Sequence, residues 1–255
     1  VVMCTCNGKS RHLAEQIESI FAQTLRPMEI VVQDDCSTDG TLELLEAYAK
    51  KVPKGMAFRI YSNDTRLGIN GNFFSAIAKA GGGYIAICDQ DDLWMPTKLE
   101  RQMLNIGKNM MCVCRSVPFT DGGGDMPYDH RRPNCNLIRL FYASMAGHCQ
   151  LFNRQLMEHV PRCEQCPDIY SQTLYDVILA TAAAALDSIT LIDEVLVRQR
   201  RYAEAATFVE SDSLRERKAG NALGMIKYGL CNYLCIKPLM TRHFSIRLDF
   251  LQHIK

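Results

Sequence analysis

The chain has 255 residues, with 29 basic and 28 acidic side chains and a formal net charge of +1. That length suits one large α/β domain, or a domain with a helical appendage, and the even charge excludes a protein built around nucleic acid. No apolar run reaches the roughly 18 residues of a transmembrane helix, and Val1-Val2-Met3-Cys4 lacks the charged region and cleavage site of a signal peptide, so a cytoplasmic protein is expected.

Val1 to Cys6 reads as an apolar strand that stops at the turn signal Asn7-Gly8. Because this strand opens at the first residue, a few residues of the natural chain are expected to precede it. Leu13, Ile17, Ile20 and Phe21 form the apolar stripe of a helix that ends before Pro27. Glu29 to Val32 is a second strand, running into Gln33-Asp34-Asp35-Cys36-Ser37-Thr38-Asp39-Gly40. Ser37, Thr38 and Asp39 suit the cap of a helix beginning near Thr41, which leaves Asp34 and Asp35 unexplained. That helix, with Leu42, Leu45 and Tyr48, fades at Pro53-Lys54-Gly55, and Ala57 to Tyr61 is a third strand. The loop Ser62 to Gly71 carries Asn63, Arg66, Gly68 and Asn70, and a helix through Phe73, Phe74, Ile77 and Ala78 stops at the glycines 81 to 83.

The fourth strand, Tyr84 to Cys88, is a continuous apolar run, the mark of a strand buried on both faces. It ends in Asp89-Gln90-Asp91-Asp92-Leu93-Trp94. In an extended segment Asp89 and Asp91 point the same way, so their oxygens can converge on one hard cation, Mg²⁺ or Mn²⁺, and the phosphates it neutralises. The competing reading is a surface turn with solvated acids. Strands alternating with helices make βαβ units and a mostly parallel sheet whose loops share one edge, the edge where ligands of open α/β sheets bind. The ends of the first, second and fourth strands are therefore expected to meet.

Pro96 opens a helix over Lys98 to Ile106, and Asn109 to Val117 is another strand. Thr120 to Asn136, rich in glycine and proline, is a long loop of the kind that serves as a lid or stays disordered. Gly147 to Phe152 is strand-like, Asn153 to His159 and Ser171 to Leu186 are helical, and Ile189 to Arg198 reads as short strands. Two amphipathic helices, split at Pro238, follow from Ser211. Of the twelve cysteines, Cys4, Cys6, Cys88, Cys112 and Cys114 lie in apparent buried strands and act as small hydrophobes. Cys163-x-x-Cys166 has the spacing of half a zinc site but no evident partner pair, since Cys231 and Cys235 lie in a helical pattern and Cys112-x-Cys114 in a strand.

Four ordered motifs resemble family 2 glycosyltransferases of the GT-A fold. They are Val1-Val2-Met3-Cys4-Thr5-Cys6-Asn7-Gly8, then Gln16-Ile17-x-Ser19-Ile20-x-x-Gln23-Thr24, then Asp34-Asp35-Cys36-Ser37-Thr38-Asp39-Gly40-Thr41, and Asp89-Gln90-Asp91-Asp92-x-Trp94-x-Pro96-x-Lys98-Leu99. Bacterial polysaccharide, rhamnosyltransferase-like members look nearest, over about residues 1–205. The resemblance implies a GT-A domain at 1–205, with a nucleotide-binding half at 1–108 and an acceptor half at 109–205, followed by a helical extension at 206–255. It implies a nucleotide-sugar donor, a divalent metal and inverting transfer of one sugar to an acceptor hydroxyl. By position, Thr5, Asn7, Asp34 and Asp35 line the base pocket, where an aspartate accepts the imide N–H of uracil or thymine. Arg66 and Asn70 approach the nucleotide and diphosphate, Asp89 faces the ribose, Asp91 binds Mn²⁺ or Mg²⁺, and Asp92 supports it. Asp176, in Tyr175-Asp176-Val177, matches the family's catalytic base, with Asp168 as the fallback.

Trp94, His148, Gln150, Arg198 and Arg200 are expected to contact acceptor or diphosphate, the acceptor lying between the 120–136 loop and the C-terminal half. A lipid-linked saccharide acceptor implies peripheral contact with the inner face of the membrane, through Lys218, Lys227, Lys237, Arg242 and Arg247. The chain departs from the family at Arg200, where histidine is usual, at Cys6 for tyrosine and at Cys36 for glycine. Trp94 is the only tryptophan, so the Gln-x-x-Arg-Trp motif of processive synthases is absent and a single addition is expected. The alternatives are a nucleotidyltransferase, for which Cys6-Asn7-Gly8-Lys9 is a poor phosphate loop, and a catalytically silent nucleotide-sugar binder or scaffold, which would not need both acid clusters.

Overall fold

The computed structural model describes residues 1–122, 145–201, 245–246 and 248–254. Three βα units and a fourth strand open the chain: β1 (Val2–Thr5), α1 (Leu13–Phe21), β2 (Glu29–Asp34), α2 (Thr41–Ala49), β3 (Ala57–Ser62), α3 (Gly68–Lys79) and β4 (Tyr84–Cys88). A short β5 (Leu93–Trp94), α4 (Lys98–Ile106), β6 (Met111–Phe119), β7 (Gln150–Asn153), α5 (Pro167–Gln172), α6 (Tyr175–Ala185) and β8 (Ile189–Arg200) follow. All eight strands form one sheet in the order β3-β2-β1-β4-β7-β6-β8-β5. The sheet is mostly parallel, with antiparallel pairing at β4-β7, β7-β6 and β8-β5.

The apolar patterning explains the layers. Every residue of β2 is buried, as are Ile85 to Cys88 of β4, because helices cover both faces of these central strands. Leu13, Ile17 and Ile20 of α1, at helical spacing, close onto them, and each such side chain contributes about 1.5–3 kcal/mol on burial. Register sets the level of the strand ends. Val2 pairs with both Val31 and Ile87, and Thr5 lies opposite Asp34. The carboxyl ends of β1, β2 and β4 thus open on one edge, which brings Asn7, Asp35 and Asp89 to a common crevice as the βαβ pattern predicts.

Several local expectations are corrected. Gly147–Cys149 is a 3₁₀ turn ahead of β7, and the helix expected at 153–159 is a second 3₁₀ turn, Arg154–Glu158. The helix expected over 171–186 is two helices, α5 and α6, broken where Thr173 is extended. No proline marks this break; Asn70 makes it, as shown below. The short strands expected at 189–198 are one strand with register shifts against β6. The 120–136 loop beyond residue 122 and the extension from 202 to 244 lie outside the described residues, and so do Cys231, Cys235, Lys218, Lys227, Lys237, Arg242 and Arg247. Residues 245, 246 and 248–252 are helical, and Phe250 is fully buried. Among the described residues no helix is long and apolar enough to cross a membrane.

Candidate active site

The ends of β1 and β2 are tied into one wall. Thr5 Oγ1 donates to Asp34 Oδ1 at 2.7 Å, while Ser37 donates through Oγ to the same oxygen and through its backbone N–H to Oδ2 at 2.6 and 2.9 Å. Both Asp34 oxygens are therefore engaged in shaping the loop. Asn7, at φ 50°, donates its backbone N–H to Ser37 Oγ and accepts from the Thr38 N–H. Asp35 accepts from Asn63 Nδ2, Leu67 N–H and Gly68 N–H at 2.7–3.0 Å, so it anchors the loop ahead of α3. A carboxylate offers about four acceptor sites, which leaves Asp35 one to offer a ligand. Arg66 Nη2 lies 2.7 Å from Cys6 Sγ, bridging the same crevice. Cys36 adopts φ 59°, the left-handed conformation that favours glycine.

The loop after β4 closes the crevice. Gln90 grips Cys6 on both sides, accepting from its N–H at 2.9 Å and donating to its carbonyl at 3.3 Å. A Cβ at Gly8 would lie 2.7 Å from Gln90 Oε1, so any larger residue there would push the Gln90 amide aside. Behind the loop, Asp92 is buried and accepts the Arg200 N–H at 3.0 Å. His148 Nδ1 lies 3.2 Å from Asp89 Oδ2 and 3.4 Å from Asp92 Oδ2, and its Nε2 pairs with Ser116 Oγ at 3.0 Å. Burial alone would lower the His148 pKa, but the Asp92 and Asp89 carboxylates overcome it and push it up to about 9.

Asp176 stands in the first turn of α6, where Oδ1 accepts the Val177 N–H at 2.9 Å. Burial pushes its carboxyl pKa up; the Val177 N–H pulls the other way, and the nearby Asp89 charge pushes it higher still. A buried carboxylate held partly against ionisation is a stronger proton acceptor than a solvated one. Asp176 and Asp89, which the sequence separates by a whole domain half, are thus electrostatic neighbours.

Five of the residues expected to contact ligand make structural contacts within the protein. Asn70 Nδ2 donates to the carbonyls of Tyr170 and Thr173, both at 2.8 Å, and its Oδ1 accepts the Tyr175 N–H at 2.7 Å. Its whole amide clamps the junction between α5 and α6. Trp94 is buried, with the Lys98 ammonium 3.7 Å from its ring centre, so it is core, not an acceptor platform. Gln150, fully buried, donates to the backbone carbonyls of Met145 and Asp176 and so fixes the turn that carries Asp176. His148 likewise stands behind the acids. Arg200, 4% exposed, stacks on Phe119, donates to the Asp91 carbonyl at 3.1 Å and pairs with Glu15 at 2.6 Å and with Asp121. Its guanidinium is a rivet under the acidic loop. Arg198 also lies over Phe119, 4.3 Å from the ring centre.

The donor set suits a hard divalent cation. Asp89 and Asp92 bring carboxylate oxygens within 4.8 Å of each other and of a His148 nitrogen; with its pKa pushed up to about 9, His148 stands there as their counter-charge, and Asp92 Oδ2 is buried without a hydrogen bond among the described residues. Beside the crevice, a depression of about 410 Å³ is lined by Leu67, Ile69, Asn70, Tyr170, Thr173 and Leu174, among others.

The glycosyl transferase family 2 model matches residues 1–178, the span that contains β1 to the start of α6. The chain belongs to glycosyl transferase family 2. Among curated relatives of this family 2 glycosyltransferase, the putative glycosyltransferase EpsE of Bacillus subtilis is 36% identical over 99 residues, covering 39% of this chain and 35% of that protein. The putative teichuronic acid biosynthesis glycosyltransferase TuaG of the same organism is 30% identical over 92 residues, 36% of this chain and 35% of its own. The chain spans little more than a third of such relatives; an uncharacterized Mycobacterium bovis protein, 34% identical, is matched over 48% of this chain and 36% of its own length. Staphylococcus aureus TarS 1–349 in complex with UDP-GlcNAc shares the fold at TM-score 0.63 and 19% identity, over 84% of this chain and 62% of that one. The mannosyltransferase PcManGT of Pyrobaculum calidifontis, in complex with GDP-Man and Mn²⁺, does so at TM-score 0.55 and 21% identity, over 76% and 53%. The GT-A fold follows from these matches.

Gln90, Asn63 and Ser116 also hold this arrangement together, roles that the sequence analysis did not assign. Gln90 carried a signal, its place inside the acid run; Asn63 and Ser116 act through bonds to Gln33 and His148 that span 30 and 32 residues of chain.

Proposed function

We propose that the chain transfers one sugar, with inversion, from a UDP- or dTDP-linked donor to a hydroxyl of a lipid-linked or oligosaccharide acceptor in cell-surface polysaccharide assembly. The observation that carries this reading is the approach of Asp89 to Asp176, a half-buried carboxyl at a helix start that desolvation and the Asp89 charge raise in pKa. In the proposed reaction Asp176 takes the acceptor proton as the hydroxyl oxygen bonds to the anomeric carbon. The bond from that carbon to the phosphate oxygen breaks, and the nucleoside diphosphate leaves with the electron pair. Asp91, with Asp89, would hold Mn²⁺ or Mg²⁺, which when bound neutralises charge on the departing diphosphate. Thr5, Asn7 and Asp35 would face the base, and Arg66 would approach the phosphates. The apolar rim of Leu67, Ile69 and Leu174, each exposed, supports an acceptor with a lipid portion.

The test is calorimetric binding of UDP, dTDP, GDP and CDP, each with Mn²⁺ and with EDTA, to the native chain and to Asp91→Ala. Metal-dependent UDP or dTDP binding that Asp91→Ala abolishes, with transfer lost but binding kept in Asp176→Asn, is the expected pattern. No nucleotide binding under any condition overturns the reading.

A further inference from the structure

The sequence left Cys163-x-x-Cys166 without partners; the fold supplies them. Cys166, buried just ahead of α5, and Asp249 and His253, exposed near the C-terminus, each offer a ligand atom, and the three lie within 4.8 Å of one another. Asp249 and His253 are four residues apart at the end of the 245–252 helical stretch, a spacing that puts them on one face. Their approach is set by apolar packing: Phe250 is fully buried, and Ile246 and Ile254 pack on the same core. Cys163 is exposed on the turn that the Gln165 and Cys166 N–H groups close onto the Arg162 carbonyl.

We propose that Cys166, Asp249 and His253, completed by Cys163, bind a zinc-class divalent cation that staples the C-terminal helix to α5. Thiolates with imidazole and one carboxylate suit a borderline cation such as Zn²⁺, whereas Mg²⁺ and Mn²⁺ prefer the oxygens of the acidic loop. Ligand atoms of a tetrahedral zinc site stand about 3.3–3.8 Å apart, so Cys166, Asp249 and His253 need shift by no more than about 1 Å, while Cys163, on its exposed turn three residues ahead of Cys166, must swing in to complete the set. Binding releases the two thiol protons to solvent and takes His253 as the neutral imidazole. The staple bears on the helix whose Tyr170 and Thr173 region Asn70 grips, and it takes no part in sugar transfer.

The experiment loads the full chain with Zn²⁺, removes loose metal by dialysis, and measures retained zinc; Co²⁺ in its place reports sulfur ligation through a thiolate-to-cobalt charge-transfer band. About one zinc per chain and the sulfur band are expected in the native protein and in Asp91→Asn, whose lesion lies in the acidic loop. Both signals should be lost in Cys166→Ser and in His253→Gln; the latter changes an exposed side chain and so leaves folding intact. A native chain without the sulfur band overturns the proposal, and so does zinc held equally by His253→Gln. Neither result bears on nucleotide binding, so the staple and the transferase reading fail separately.

Discussion

Gly147→Ala is the sharpest test of how Asp176 is presented. A Cβ at residue 147 would lie 2.1 Å from Tyr175 Oη and 2.8 Å from Cζ, where ordinary contact begins at 3.4 Å. The ring must therefore retreat by about 1.3 Å, the difference between 3.4 and 2.1 Å. It cannot do so freely, because Tyr175 is buried and stacked on Phe73 with ring centres 3.8 Å apart. Overpacking of this kind costs about 1–3 kcal/mol in stability. The displaced residue is the one before Asp176, in the same helical turn, and a misplacement of about 1 Å at a reacting group lowers turnover by about 10²-fold. The assay is nucleoside diphosphate release during transfer, read against calorimetric donor binding, which should hold because the β1 and β2 wall is untouched. Tyr175→Phe removes the atom at 2.1 Å, so the double variant should recover part of the lost kcat. A Gly147→Ala protein with kcat within about twofold of native, or one whose loss is unchanged by Tyr175→Phe, refutes the presentation of Asp176 by this contact.

Three further outcomes are expected. The Asp92 and Asp89 carboxylates push the His148 pKa up to about 9 from an ordinary 6.5, so its stabilising contribution is full below about pH 6.5 and is lost as pH rises towards 9; urea unfolding at both ends should show this loss in the native chain, and His148→Gln should be the less stable protein at pH 6.5 with the gap closing towards pH 9. Arg200→Lys keeps the charge but cannot reach the Asp91 carbonyl, Glu15 and Asp121 together, and because those two acids are about half exposed the loss should be about 2 kcal/mol in thermal unfolding, with weaker metal-dependent donor binding. Asn70→Ala removes three hydrogen bonds across the α5–α6 junction, for about 2–3 kcal/mol of stability, and should lower kcat more than donor affinity.

The nucleotide half was legible because its signals are local. Apolar runs of four to six residues ending in acids can be read without knowing what packs on them, and the register of β1 against β2 and β4 follows once those strands are parallel. The α5–α6 break was not legible, because its cause is Asn70, about a hundred residues away in sequence. For the same reason His148, Gln150 and Trp94 looked like ligand contacts. A polar or aromatic residue near a strand end has one appearance in sequence whether it faces the crevice or stands behind it, and only the burial of Gln150 between Met145 and Asp176 separates the two. Asp34 shows the reverse case: it falls in the right motif, yet its oxygens are engaged by Thr5 and Ser37.

The departures from the family pattern share one physical logic. Asp89, Asp91, Asp92 and Asp176 crowd the edge of the sheet, and buried carboxylates without counter-charge would take up protons and lose their use. Two cations stand behind them, His148 held by Ser116 and Arg200 held by Glu15 and Asp121. A histidine at 200 has two ring nitrogens; the arginine fork has five N–H donors, and the fold uses them on a backbone carbonyl and two acids that three elements supply. Arg200 thus exchanges a side chain able to ligate metal for one that holds the acidic loop in shape whatever the loop binds. Cys6 belongs to the same economy of contacts. Its backbone is gripped by Gln90 and its sulfur by Arg66, so the loops after β1, β3 and β4 meet at a small residue where a tyrosine ring would hold them apart.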